Sequence, residues 1–194
     1  LVTTKGYKQT LQVARSFCPG GLGGWVSYVK KPLLAPLELT IEADERMDAQ
    51  GNTVSPLDTQ ALQADLERLR DSSDIEALTI CFINAYVSGA HEKQARDVAK
   101  AVFGDIPISI SSDIVPEMQE YERTETTVVN SYVRPEVARY VDNLQGALVE
   151  RMGEDVHLSI LRSDGGLASA RSSADSPVNL LMSGPAGGVT GAVH

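Results

Sequence analysis

Basic residues are scarce in this sequence: 17 lysines and arginines stand against 26 aspartates and glutamates, a formal net charge of −9. No basic stripe is present to neutralise phosphates, which argues against nucleic acid and an anionic membrane surface as partners. Long apolar runs and a signal-peptide pattern are also lacking, so we expect neither a membrane span nor export. The two cysteines, Cys18 and Cys81, lie far apart without CxxC spacing, which is typical of a reduced, cytoplasmic protein.

Several catalytic and metal-binding signatures are missing as well. The three histidines, His91, His157 and His194, show no ligand spacing, so no metal site is predicted. No Ser-His-Asp or Cys-His arrangement can be argued from the sequence, and catalytic residues stay unassigned. A Walker A loop and a complete GxGxxG fingerprint are absent. What is present is a 194-residue chain with 42% hydrophobic residues, enough for one well-cored globular domain or for a domain with a small appendage.

The apolar pattern predicts an α/β fold. Ile75–Ile83 is an apolar run of strand length, His91–Phe103 carries apolar residues on one helical face, and Ile106–Ser111 is a second strand. A strand, a helix and a strand at this spacing form a βαβ unit, which predicts a mostly parallel sheet covered by helices. Val156–Leu161 is expected to add a third strand to the same sheet.

The pattern divides the chain into three segments. Residues 1–57 are predicted as a small β-rich portion with loops and a hairpin, residues 58–177 as the α/β domain, and residues 178–194 as the start of a following lobe. We expect the chain to be an internal piece of a longer protein, because it opens in what the pattern predicts as the end of a strand and stops early in a glycine-rich helix.

Local signals refine the first of these segments and the start of the second. Cys18–Trp25 is rich in glycine and is predicted as a loop, and Val26–Val29 alternates as a short strand does. Residues 38–54 have the pattern of a hairpin around a turn. Asp58 is placed to cap a helix over Thr59–Arg70.

A glycine-rich stretch near the end, VNLLMSGPAGGVTGAVH, predicts an anion site. Val178–Met182 is interpreted as a buried strand that breaks at Ser183-Gly184-Pro185, with Ser183 as cap and a helix following. Free N–H groups and the helix dipole favour an anion there, so Ser183, Gly184, Gly187 and Gly188 are candidate phosphate-binding residues. The alternative is a tight corner between a strand and a helix that binds no ligand.

Two further segments carry candidate contact residues. In PEMQEYERTETTVVNSYVRP, a row of threonines and Asn130 predicts a polar helix face, on which Glu122, Arg123, Thr127 and Asn130 contact substrate or a neighbouring lobe. The alternative is an interior hydrogen-bonded network with Arg123 paired to a carboxylate.

The second segment follows the predicted third strand. Asp164, Gly165 and Gly166 come directly after it, where α/β folds place ligands. Asp164 either holds a metal-bound water or a substrate hydroxyl, or caps a helix over Leu167–Ser173.

These stretches resemble segments of one known family. SGPAGGVTGA, ERMDAQG, EYERTETTVVNSYVRP and SDGG are similar to segments of the A-type subunits of the hydantoinase/oxoprolinase family, which also includes acetone and acetophenone carboxylases. Asp164 departs from the Asn that many members carry there. The resemblance implies an actin-like or Hsp70-like ATPase-type subunit that uses ATP with Mg²⁺, a small-molecule substrate and a second, B-type subunit.

The same resemblance implies ATP-dependent activation of a cyclic amide (a lactam, a hydantoin or 5-oxoproline) for ring-opening hydrolysis. One alternative is an ATP-dependent ketone carboxylase, which the unusual GLGGW loop favours, and another is a non-catalytic module that docks a partner subunit. The family's phosphate loops, Asp-x-Gly-Gly-Thr, are expected before Leu1 and after His194. The 194-residue chain alone is therefore expected neither to bind nor to hydrolyse ATP.

Overall fold

A computed structural model describes residues 1–15 and 18–193 of the chain. The chain forms two compact units, a first unit of Leu1–Val128 and a second unit of Val129–His194. The strands are β1 (Val2–Thr4), β2 (Ile41–Ala43), β3 (Arg46–Met47), β4 (Thr53–Ser55), β5 (Leu78–Cys81), β6 (Ile108–Ile110), β7 (Ser159–Leu161) and β8 (Leu167–Ser169). The helices are α1 (Thr10–Val13), α2 (Gly21–Gly24), α3 (Thr59–Ser72), α4 (Ala90–Phe103), α5 (Ser111–Ile114), α6 (Glu120–Met152), α7 (Ala170–Asp175) and α8 (Ser183–Val193).

The first unit is built on a four-stranded parallel sheet in the order β2-β1-β5-β6. Val2 of β1 lies opposite Ile41 on one side and Ile80 on the other, and Leu78 of β5 lies opposite Ile108. The two central strands are completely buried, as expected for apolar strands covered by helices. The predicted α/β fold with a mostly parallel sheet is confirmed, and β5, α4 and β6 form the predicted βαβ unit.

Helices α3 and α4 cover this sheet. Leu62, Leu66 and Leu69 are the buried residues of α3, at the spacing of one helical face. Asp58 caps this helix as predicted, because its side chain accepts the N–H of Ala61 at 2.9 Å. The predicted hairpin is also present: β3 and β4 pair in antiparallel fashion across a turn at residues 48–52. The strand predicted over Val26–Val29 is wrong, since these residues form a turn and then a segment without strand pairing.

The second unit contains the main departure from the sequence-based expectation. Val156–Leu161 does not add a strand to the parallel sheet, because β7 pairs in antiparallel fashion with β8. The reversal occurs at Gly165, whose φ of +84° suits glycine, and the N–H of Gly165 donates to the carbonyl of Arg162 at 3.0 Å. Asp164 belongs to this turn: its Oδ1 accepts the N–H of Gly166 at 2.9 Å.

Two predicted elements around this turn are therefore wrong. The helix expected over Leu167–Ser173 is replaced by β8 and then by α7, and the cap of α7 is Ser169 rather than Asp164. The strand expected over Val178–Met182 is a 3₁₀ turn at Pro177–Leu180, where proline at the first position suits a helical turn. Helix α6 runs for 33 residues with Pro135 inside it. No helix in the described part of the chain is both long and apolar enough to span a membrane.

Candidate functional site

The carboxyl ends of the parallel strands form the candidate site of the first unit. β1 and β5 are neighbours, and the sheet extends from β1 towards β2 and from β5 towards β6, in opposite directions. In parallel α/β sheets, ligands bind outside the carboxyl ends of the strands at such a change of direction. Because β1 ends at Thr4 and β5 at Cys81, the segments that follow these two residues flank the candidate site.

A buried carboxylate, Glu45, joins several elements at this edge. Its Oε1 accepts a hydrogen bond from the hydroxyl of Thr4, whose oxygen accepts the N–H of Ile83 at 3.0 Å. Its Oε2 lies 2.7 Å from Nδ1 of His91, in the first turn of α4. A buried carboxylate is costly unless it has polar partners, and Glu45 has one on each oxygen. The carboxylate thereby ties together the end of β1, the segment after β5 and the start of α4.

A second buried carboxylate, Glu92, comes next in the chain. Its Oε1 accepts the N–H of Phe82 at 2.9 Å and the hydroxyl of Ser111 at 2.6 Å, and its Oε2 accepts the N–H of Ser112 at 2.8 Å. Burial raises the pKa of the Glu92 carboxyl, while these hydrogen bonds act in the opposite direction. Glu92 thus holds α4 against the carboxyl ends of β5 and β6.

The positive charge of this network comes from Arg123. Its Nε donates to the Ser111 hydroxyl at 3.2 Å, its Nη2 to the Phe82 carbonyl at 2.7 Å and its Nη1 to the Glu117 carbonyl at 3.0 Å. The guanidinium also lies 5.5 Å from the centroid of the Tyr86 ring, a cation–π distance. Arg123 is only 1% exposed and sits in an interior network, where it connects to the second carboxylate through Ser111.

Two more predicted contact residues lie on the same part of α6. Glu122 is at the surface of the first unit and pairs with Arg15, with 2.6 Å between Nη2 and Oε2. Thr127 is fully buried, and its hydroxyl donates to the carbonyl of Arg123 at 2.7 Å. A contact of these side chains with substrate or a neighbouring lobe stays a prediction.

In the second unit, the predicted residue Asn130 fixes the turn that leads to α8. Its Nδ2 donates to the carbonyl of Asp175 at 3.2 Å, and its Oδ1 accepts the N–H of Val178 at 3.1 Å. Arg134, one turn further along α6, pairs with the carboxylate of Asp175 at 2.6 Å. The polar face of the helix therefore binds protein backbone at this point, and a ligand contact at Asn130 stays a prediction.

The structure brings two predicted groups together in the second unit. The turn at Asp164-Gly165-Gly166 lies beside α8, because the Ser163 hydroxyl accepts the N–H of Met182 at 2.9 Å. A Cβ on Gly187 would lie 2.6 Å from Cδ2 of Leu161, so glycine permits the close approach of α8 to β7. The hairpin turn and the start of α8 therefore lie side by side, and a ligand contact at either stays a prediction.

The start of α8 has space for an anion such as phosphate. The first N–H groups of a helix have no partner within the helix, and the dipole favours negative charge there. A Cβ on Gly184 or Gly188 would meet no atom within 4 Å, so the backbone is open at both positions. Gly187 is not open in this way, because it packs against β7. Among residues 1–15 and 18–193, no group of three or more His, Cys, Asp or Glu side chains is arranged to hold a metal ion.

Sequence reasoning missed most of the carboxylate network. Glu45 was visible only as part of ERMDAQG, and His91 only as a helix start without ligand spacing. The two residues are 46 positions apart and meet because the segment after β2 and the first turn of α4 both lie at the carboxyl edge of the sheet. The available signal was a charged residue placed directly after a predicted strand, which is where α/β folds carry functional groups.

Two family models match the chain. The model described as the hydantoinase/oxoprolinase N-terminal region matches residues 1–103, and the model described as hydantoinase/oxoprolinase matches residues 123–194. A protein of Methanocaldococcus jannaschii without an assigned function is 34% identical over 97% of this chain and 27% of its own length. The chain thus spans about a quarter of the length of this curated relative.

Two enzymes of this group are similar to the chain in sequence and structure. The caprolactamase subunit alpha of Pseudomonas jessenii is 30% identical over 96% of this chain and 26% of its own length. The crystal structure of that ATP-dependent caprolactamase superposes on 95% of this chain with a TM-score of 0.83. A nucleotide-free acetone carboxylase structure gives the same TM-score over 98% of this chain and 28% of its own chain, at 25% identity.

Proposed function

The chain belongs to the hydantoinase/oxoprolinase family, and from this membership we propose that it is part of a longer, cytoplasmic, ATP-dependent subunit that activates a cyclic amide for ring-opening hydrolysis. The observation that carries the proposal is the fold match to an ATP-dependent caprolactamase over 95% of this chain, with a TM-score of 0.83. Caprolactam is a cyclic amide, which fits the substrate class expected from the sequence. We further propose that the whole subunit has an actin-like fold and works with a B-type partner subunit.

In this proposal the second unit contributes to the nucleotide site. The first turns of α8 are open to a phosphate at Ser183, Gly184 and Gly188. Gly187 packs the helix against β7. ATP with Mg²⁺ would supply the phosphoryl group that activates the carbonyl carbon of the amide for attack by water. This chain's own residues orient that phosphate and hold the adjoining turn at Asp164 in place.

The ketone carboxylase alternative has specific support from the acetone carboxylase structure, which matches the chain with the same TM-score of 0.83. The docking alternative is supported by a segment of the first unit with large exposed apolar side chains. Trp25 is 64%, Val26 92% and Val29 85% exposed, and a partner subunit that covered them would remove this apolar surface from water.

The test uses the longer subunit that contains this chain, purified together with its partner subunit. Caprolactam, 5-oxoproline and hydantoin are each supplied with ATP, and ring-opened product and released phosphate are measured together. ATP-dependent ring opening of one of them supports the proposal. Carboxylation of acetone or acetophenone with bicarbonate, without ring opening, would favour the ketone carboxylase, and loss of both activities would favour a docking role.

A further inference from the structure

The first unit contains a cavity of about 510 Å³ that is distinct from the carboxylate network, since neither Glu45 nor Glu92 lines it. Its walls are the end of α1, the segment of residues 28–34 and the first three turns of α6. Every lining residue lies within residues 11–128, so the cavity belongs to the first unit alone. Sites for small molecules usually have volumes of roughly 300–1,000 Å³, and this cavity is within that range.

Polar contacts hold the three walls of this cavity together. Arg15, just after α1, pairs with Glu122 of α6, with 2.7 Å between Nε and Oε1 and 2.6 Å between Nη2 and Oε2. Lys30 donates from Nζ to the carbonyl of Gln12 and, at 3.1 Å, to the carbonyl of Val13. These carbonyls end α1, where a lysine side chain can supply the missing hydrogen bonds. The walls are therefore connected to one another by side chains of the first unit.

The lining of the cavity is mainly apolar. Leu11 and Val128 are buried lining residues of one hydrophobic cluster, and Leu33 and Tyr121 pack against that cluster. Leu34 also lines the cavity and is 52% exposed. A hydrocarbon chain that contacts these side chains leaves water, which is favourable, so the lining favours a ligand with an apolar body.

Positive charge predominates among the lining residues. Arg15, Lys30 and Lys31 are basic, against one acidic residue, Glu125. Arg15 and Lys30 make the wall contacts described above, and the Tyr121 hydroxyl donates a hydrogen bond to Glu125. Lys31 is exposed and has no hydrogen bond or ion pair within the part of the chain that the structure describes. The charge left without a partner at the cavity is therefore the ammonium of Lys31.

We propose that this cavity binds a small monocarboxylate with an apolar chain. Its carboxylate pairs with Lys31, and its chain lies on the apolar lining. A neutral alcohol would use the lining but leave Lys31 without an anion. An amine would be repelled by Lys31 and would find only Glu125, which Tyr121 already binds. The proposal does not depend on the proposed function. The competing occupant is an apolar side chain of the longer subunit or of its partner.

The first test varies the ligand and uses the longer subunit that contains this chain. Dissociation constants for hexanoate, 1-hexanol and hexylamine are measured by ligand-observed NMR. Hexanoate should bind at least about threefold more tightly than the other two. Each CH₂ added between butanoate and octanoate should tighten binding by up to about fourfold. Equal affinity for the three head groups, or affinity independent of chain length, would overturn the proposal. Absence of hexanoate binding would also overturn it, because another protein segment would then fill the cavity.

The second test locates the bound molecule with exposed side chains, whose substitution leaves the core intact. Lys31→Met removes the ammonium and should weaken hexanoate binding about 3–10-fold while 1-hexanol binding stays unchanged. Leu34→Ser should weaken both ligands by a similar factor. Lys93→Met is the matched control, since Lys93 is an exposed lysine of α4 outside the cavity. Unchanged hexanoate affinity in Lys31→Met, or an equal loss in Lys93→Met, would overturn the proposal. The wild-type ligand series decides the question where a variant does not fold.

Discussion

Individual buried residues give the first unit a definite pH dependence, and Glu92 is the clearest case. Burial raises the pKa of its carboxyl above the ordinary value of 4.5, so the folded state keeps the proton to higher pH than the unfolded state. The stability that this proton contributes is complete below about pH 4.5 and is lost as the pH rises through the folded-state pKa. The free energy of unfolding of the wild type, minus that of Glu92→Gln, should therefore fall as the pH rises above about 4.5.

Urea denaturation of both proteins across this pH range checks the Glu92 prediction. Glu122→Gln is the control, since its carboxylate lies at the surface and its pKa is lowered by Arg15 rather than raised. The difference in unfolding free energy between the wild type and Glu92→Gln should fall with pH, whereas the difference between the wild type and Glu122→Gln should not. If the difference for Glu92→Gln stays level or grows with pH, the three hydrogen bonds to this carboxylate have a larger effect on its pKa than burial has.

Gly188 offers a residue-level test of the proposed phosphate site. A valine there would meet no atom within 4 Å of its Cβ, so Gly188→Val should change the free energy of unfolding by less than about 1 kcal/mol. In the longer subunit, KM for ATP should rise about 10–100-fold, because the valine side chain would occupy the space of the phosphate and disrupt hydrogen bonds that contribute about 1.5–3 kcal/mol. Gly191→Val, one turn further along α8 and equally open, is the control. Equal KM values for the two variants would argue against an anion at this helix start.

Residue contacts were harder to predict than residue types. Arg123 lies in an interior network, which was one of two interpretations, but its guanidinium donates to a hydroxyl and two carbonyls rather than to a carboxylate. The joining of Glu45 to His91 could not be predicted, because their contact depends on how β2 and α4 are placed over the sheet edge. Local patterns report burial and helix faces, but they contain no information on which buried polar groups meet.

Among the secondary-structure elements, the N-cap of α3 makes a contribution to stability whose size can be predicted. The Asp58 carboxylate accepts the N–H of Ala61 at 2.9 Å, so Asp58→Ala should lower the free energy of unfolding by about 1 kcal/mol. Asp71→Ala, near the last turn of the same helix, removes an acidic charge of equal size without removing a cap. Urea denaturation should show the loss only for Asp58→Ala. Equal losses in both variants would point to surface charge as the cause.

Element types followed from the sequence where length and periodicity agreed. α3, β5, α4 and β6 were all predicted, because long helical faces and apolar runs are strong signals. The failures came from short segments: Val156–Leu161 has the composition of a buried parallel strand, but the turn at Gly165 sends it into a hairpin. The run at Val178–Met182 is equally apolar, and the preceding Pro177 starts a 3₁₀ turn instead. Turn chemistry outweighed composition in both places.

The whole molecule combines a strongly acidic chain with a candidate site made of buried ionisable side chains. The net charge of −9 lies mostly on exposed side chains, whereas the carboxyl edge holds Glu45, Glu92 and Arg123 inside hydrogen-bonded networks. Buried charged groups are rare unless they are paired or surrounded by donors. Their concentration at the carboxyl edge of the sheet is the reason that this edge is the candidate site of the first unit.

The 194-residue chain on its own is expected to lack ATPase activity. Neither Asp-x-Gly-Gly-Thr phosphate loop expected from the family resemblance is present in its sequence, and the start of α8 provides only backbone N–H groups. A helix start attracts an anion but does not position a nucleophile or a metal, so the chain should release no phosphate from ATP in the presence of Mg²⁺. Phosphate release from the purified chain is measured against the longer subunit as the positive control. Release by the chain that Gly188→Val abolishes would contradict the prediction, because it would place a complete ATPase site within these residues.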